Sequence, residues 1–312
     1  MLAIHIPVLA MLVPAFSLIF LVYLLEKHSC GFRRRCFLTR HLLRSPGESL
    51  RVELEQLNRK VAAYVAATLT FPLLIYFACM ALVNEHTPAG IALLVVEVIA
   101  VTSCIVHVAR TLLSLLGQKR GVMMELETKM AVAQELNALM REGYLVFHDV
   151  PCYGFNIAHV VVGKAGVYAL ETRAFAKPNG KGDEENWDVA YSGNTLRFPG
   201  WRETSAIEQA LFHAVWLQTW LSKAVGEHVT VHPVLVLPGW YIDQPGNGRV
   251  LVSNGKNIQE LLRFPGQDCV PLSTRKVRQI ASQLDLRCRP GPARSSPQYQ
   301  FAAERESSAE AA

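Results

Sequence analysis

The chain of 312 residues lacks most of the short signatures by which enzyme chemistry shows itself. There is no Walker-type phosphate loop, no GxSxG elbow and no GxGxxG turn. Nucleotide hydrolysis and serine-based hydrolysis therefore have no local support. The ten histidines contain no HExxH pattern. The seven cysteines form neither a zinc pattern nor a disulfide framework. Cys30 and Cys36 miss CxxC spacing, Cys79 and Cys104 fall inside apolar runs, and Cys152, Cys269 and Cys288 are scattered. That usage fits a reducing compartment. No internal repeat is visible. Basic residues are missing before the first apolar run and from the link 84–90, NEHTPAG. The first run also has no small-residue cleavage site after it, which argues against a removable signal peptide.

What the chain has in quantity is apolar sequence, 51% of its residues, with a mean hydropathy of +0.20. It gathers in three runs: Leu2 to Leu25, Val61 to Val83, and Ile91 to Leu116, the last interrupted by Glu97, His107 and Arg110. A hydrocarbon core about 30 Å thick needs ~20 residues of helix, so each run is expected to span a membrane. Residues 26–60 hold nine Lys and Arg against four acidic residues. The positive-inside rule then places that loop and everything after the third run in the cytoplasm, with the N-terminus outside. The cluster Arg33, Arg34 and Arg35 is expected at the membrane surface, with the lipid bilayer as its partner. The resulting organisation is a transmembrane helix at 1–25, a basic loop at 26–60, a helical hairpin at 61–116, a cytoplasmic domain at 117–288 and a disordered tail at 289–312.

Within residues 117–288 the charge is nearly balanced, eighteen basic against seventeen acidic. Met123 to Glu142 reads as a helix stopped by Gly143. Strands are expected at 145–150, 157–163 and 167–172, a hairpin around Ser192-Gly193-Asn194, a helix over 203–224, a strand at 231–237, a short one at 249–253, and a last helix capped by Ser273. Helix, three strands, helix, strand is the order of an α/β sandwich with a mixed sheet. The stripe of Phe212, Trp216 and Trp220 has helical spacing and reads as core.

The most specific stretch is NIAHVVVGKAGVYALETR, Asn156 to Arg173. Alternate residues of a strand share a face, so Glu171 and Arg173 project together. A carboxylate beside a cation is the layout of a metal-dependent phosphodiesterase. A second carboxylate would be wanted on the neighbouring strand, and Ala158 stands there.

These residues resemble the nuclease-related domain family, NERD, of the restriction-endonuclease-like superfamily. The likeness runs over roughly 120–225 through Val132, Leu136, Leu139, Gly143-Tyr144, Asp149-Val150, Asn156-Ile157, His159 to Gly163, Gly166-Val167, Glu171-Thr172, Pro199 and Gln209. The resemblance implies a restriction-endonuclease-like core, a Mg or Mn cofactor, and DNA or RNA as substrate. It also shows where this chain departs. Ala158 replaces the family's metal-binding Asp, Arg173 its catalytic Lys, and Lys129 its helix Glu.

Glu171 and Arg173 are thus the candidate catalytic pair, and Glu171 with Asn156 the candidate metal ligands. Asp149 and His159 lie near in sequence, but His159 has the wrong strand parity to replace residue 158. Arg173 can stabilise charge yet cannot act as a base, because a guanidinium stays protonated in proteins. Two functions follow. One is a catalytically weakened or inactive module that binds nucleic acid or protein at the inner face of a membrane. The other is an active metal-dependent endonuclease acting on DNA or RNA there.

Overall fold

In the computed structural model of the chain, residues 43–82, 88–176, 188–243, 248–256, 258–263 and 271–289 are described. The expectations for the first apolar run, the Arg33, Arg34, Arg35 cluster and the tail after 289 lie outside them. Helix α1 spans Glu48–Leu82. At its entry the Ser45 backbone N–H donates to the Glu48 carboxylate at 3.0 Å, the return half of a capping box. Helix α2 spans Pro88–Arg141, with proline at the first helical position, where its missing N–H costs nothing. It stops at Gly143, whose φ of +88° lets the Tyr144 N–H turn back to the Leu139 carbonyl. The contacts divide the described residues into two compact units, 57–117 in one and 41–56 with 118 onward in the other.

The membrane reading needs correction. Among the described residues no helix is long and apolar enough to cross a membrane. The three-helix, multi-pass localisation with an outward N-terminus and a cytoplasmic domain is overturned, and its lipid partner loses its basis. Charge and continuity explain the difference. The third run does not stand as a separate span. It is the first half of the 54-residue helix α2, in which His107 and Arg110 break the apolar series and charged residues continue to Arg141.

Beyond α2 the chain is an α/β structure. Strands β1 (Leu145–Pro151), β2 (Asn156–Gly163) and β3 (Gly166–Thr172) form an antiparallel meander. Short strands β4 (Asp188–Tyr191), β5 (Leu196–Phe198) and β6 (Trp201–Glu203) follow. Helix α3 (Ser205–Val225) then leads to β7 (Val231–Val236), which returns parallel to β3. Strands β8 (Tyr241–Asp243) and β9 (Leu251–Ser253), helix α4 (Ile258–Arg263) and helix α5 (Thr274–Cys288) complete it. The main sheet has the order β1-β2-β3-β7-β9 and is mixed; a second sheet runs β6-β5-β4-β8. The α/β class expected from the sequence is the one observed.

Both faces of the main sheet are covered, which is why β2 and β3 read as nearly unbroken apolar runs. On one face Val160, Val162, Val167 and Ala169 pack with Ala214 and Leu217 of α3 and Ile280 and Leu284 of α5. On the other, Val161, Tyr168 and Leu170 meet Val132, Leu136 and Leu139 of α2 and Ile258 of α4. Val132, Leu136 and Leu139 of α2 are thus the knobs that cover this face of the sheet. Gly163 has a similar reason. The Tyr144 ring lies where a Cβ on residue 163 would have to sit. Trp240 and Phe198 anchor a third core around the small sheet.

Candidate functional site

Strand parity and register build the site. The β2–β3 ladder pairs His159 with Leu170 as its last rung. Ala158 and Glu171 are the next residues outward on the two strands. Ala158 shares parity with Val160 and Val162, and Glu171 with Val167 and Ala169, so both face α3. Both are buried, at 1% and 4% exposure. On α3, Gln209 and His213 are one turn apart and face the same strand end.

Four polar groups meet there. Glu171 Oε2 lies 3.0 Å from Nδ1 of His213. Glu171 Oε1 lies 3.6 Å from Nε of Arg173. The Arg173 guanidinium donates to Oε1 of Gln209. The His213 ring stacks on Phe155, centroids 4.6 Å apart and 8° from parallel. The Arg173 backbone N–H donates to Val236 of β7, fixing the strand end that carries the pair. Arg173 also lines a cavity of 430 Å³ together with Glu53, Glu125, Phe175, Glu203 and Ser205. The α3 N-terminus beside that cavity is already served, since Glu203 Oε1 accepts from the N–H groups of Ser205 and Ala206.

The structure brings together Glu171 and Arg173, as parity requires. Asn156 opens β2 in register with Pro151 and is half-buried. Asp149 is fully buried and committed elsewhere. It accepts from the Ser49 N–H at 2.9 Å, the Ser49 hydroxyl at 2.6 Å and the Arg44 guanidinium at 3.2 Å. It thereby fastens the start of α1 to the sheet. Its φ of 48° makes it the one non-glycine residue with a left-handed backbone among those described. His159 faces the opposite side of the sheet, with Nδ1 2.8 Å from Nδ1 of His148. Lys129 is buried on that side and pairs with Glu125 at 3.2 Å. Sequence reading missed His213 and Phe155. The spacing of four between Gln209 and His213 was the available signal for the first.

Burial pushes His159 well below the ordinary histidine value, and the charges of His148 and Lys129 lower it further. Burial also lowers His148, partly offset by Asp149. The folded state holds these rings neutral where the unfolded chain takes up protons. Stability should therefore be complete above about pH 6.5 and fall as pH drops below it, with His159 alone giving a slope of ~1.4 kcal/mol per pH unit. Urea unfolding at neutral and mildly acidic pH measures this, and equal stability at both would contradict it. The Cys152 and Cys288 thiols are both pushed up to about 12 by burial, so neither is a thiolate nucleophile near neutrality.

A divalent ion does not fit the residues present. A hard cation wants several oxygen donors. Glu171 offers one carboxylate whose oxygens are both engaged, and Ala158 offers no donor. Among the described residues no group of three or more His, Cys, Asp or Glu is placed to hold a metal.

A helix, an antiparallel meander, a second helix and a parallel returning strand make an α/β domain with a Glu-x-Arg pair at the meander's end. Residues 125–238 match the family model of the nuclease-related domain, NERD. That stretch holds α2's last turns, the meander, the small hairpin, α3 and β7, and every residue of the Glu171 constellation. No curated protein and no solved structure matches the chain.

Proposed function

We propose that this nuclease-related domain serves as an interaction module, for nucleic acid or protein, whose catalytic centre is weakened or silent. The observation that supports this reading is the state of Glu171. Its oxygens are taken by His213 and Arg173, and the neighbouring strand presents Ala158. A phosphodiesterase that uses Mg or Mn needs a site that can accept the ion and polarise the scissile phosphate. Arg173 keeps the charge of the family's lysine. It remains able to contact a phosphate, while a guanidinium, which keeps its proton in proteins, does not serve as a proton acceptor.

The test uses the full chain with plasmid, linear duplex and single-stranded substrates in Mg or Mn. No metal-dependent cleavage above that of Glu171→Ala is expected. Cleavage that requires the metal and disappears in Glu171→Ala would defeat the reading and restore the endonuclease alternative.

A further inference from the structure

The face of α3 that runs on from His213 is aromatic, and two of its rings are open to solvent. Phe155 stacks on His213 and also meets Phe212 at 5.2 Å and Trp216 at 5.5 Å. Tyr153 approaches Trp216 edge to face at 6.1 Å. Trp216 and Trp220 lie parallel, 7° apart, and both pack against the core, as their helical spacing suggested. Phe212 and Tyr153 do not follow them inward. They are 57% and 60% exposed, and Val215, one helical turn from Phe212, is 62% exposed. Exposed apolar side chains that cluster around a shared aromatic base are the kind of surface that marks an interaction site.

Charge indicates what covers them. Arg287 of α5 lies 4.7 Å from the Trp220 centroid, 5.0 Å from that of Trp216 and 5.6 Å from that of Tyr153. Helix α5 packs beside α3 and carries Arg275, Lys276, Arg278 and Arg287 against Asp285; Lys276 pairs with Glu227 at 3.2 Å, and Arg287, held by the Pro151 carbonyl, is the cation at the rings. The near-neutral total of residues 117–288 therefore hides a basic helix next to an aromatic strip. Rings that offer a π-face, flanked by guanidinium groups, suit a polyanion whose bases are unpaired. Duplex bases are already stacked and present only their edges, whereas single strands can lay successive bases on such rings.

We propose that Tyr153 and Phe212 form a stacking platform for single-stranded nucleic acid, with Arg287 as the cation that meets its phosphates. The Phe155–His213 stack joins the strip to Glu171, which His213 meets at 3.0 Å in the interior. The inference rests on the reading of the domain as an interaction module and names its partner. Base–aromatic stacking is tolerant of sequence, so affinity should follow strandedness and not base order.

The experiment is fluorescence anisotropy with the full chain, using a thymidine oligonucleotide of about 20 nucleotides and a duplex of equal length. The single strand should bind more tightly than the duplex, and binding should weaken as salt rises. Tyr153→Ala and Phe212→Ala should each weaken it about tenfold, while Phe212→Tyr stays within about twofold. Both rings are exposed, so thermal melting should confirm that these variants fold as the parent does. No binding, a preference for duplex, or alanine variants that bind as the parent does would each overturn the proposal. So would sedimentation showing a dimer that Phe212→Ala dissolves, since the strip would then cover a second copy of the chain. Metal-dependent cleavage of the bound oligonucleotide would refute the silent-site reading and leave the platform standing. Absent binding without cleavage would refute the platform alone.

Discussion

Ala158→Asp is expected to lower the stability of the domain by roughly 3 kcal/mol when divalent ions are chelated. The new carboxylate would be enclosed beside Glu171, at a position that is now 1% exposed. Two carboxylates in one buried site cannot both ionise without a counter-charge, and burial alone disfavours either anion. The same pair is what a divalent ion seeks. Mn added to Ala158→Asp, and more so to Ala158→Asp combined with Arg173→Lys, should recover much of the loss through preferential binding to the folded state. The parent should show little metal-dependent stabilisation, because Glu171 is already satisfied by His213 and Arg173. Thermal melts with and without Mn, and titration calorimetry on all three proteins, measure it. Tight metal binding by the parent, or variants indifferent to the ion, would show that residue 158 is not what the site lacks.

A second large effect is expected at Asp149. Asp149→Asn keeps the shape and tolerates the left-handed backbone, as asparagine commonly does. It removes the charge that receives the Arg44 guanidinium and the hydrogens of Ser49. Charge-assisted bonds to a buried carboxylate are worth ~1.5–3 kcal/mol each, so a loss of about 2–3 kcal/mol is expected. Arg44 and Ser49 would be released from the sheet, so proteolysis within residues 43–56 should accelerate more than elsewhere. Urea unfolding and a timed protease digest test both parts. Unchanged stability together with unchanged cleavage would show that the clasp contributes nothing.

Much of this architecture is local and was readable. The β-branched run at 160–162, the Gly163–Gly166 turn, the helix ended by Gly226 and the Ser273 cap are set by near neighbours, and each element lies where its pattern placed it within a few residues. Parity was enough to put Glu171 and Arg173 side by side. What failed was long-range. Met123 looked like a helix start because the composition changes there, yet no proline interrupts the backbone and α2 continues unbroken from Pro88. Length and charge alone make the three apolar runs read as membrane spans. Nothing near Asp149 announces Arg44 and Ser49, about a hundred positions earlier. The His213 contact with Glu171 crosses 42 residues, and only the helical spacing from Gln209 hinted at it. Phe212 belonged by period to the Trp stripe, but side chains at the margin of an apolar arc can face either way, and this one turned outward.

The topology of the main sheet also bears on the order in which the chain acquires its shape. Strands β1, β2 and β3 join through short turns, so their pairing closes small loops and can form early. Strand β7 must cross the hairpin region and all of α3 before it finds β3, and β9 can add only after β7 is in place. Parallel pairing over such separations is intrinsically slow. Until β7 arrives, the outer edge of β3 from Val167 to Thr172 is an open row of hydrogen-bonding groups. The half of the sheet that carries Glu171 is then complete in sequence but still exposed along one side, and that interval is where this chain is most open to pairing with the wrong strand.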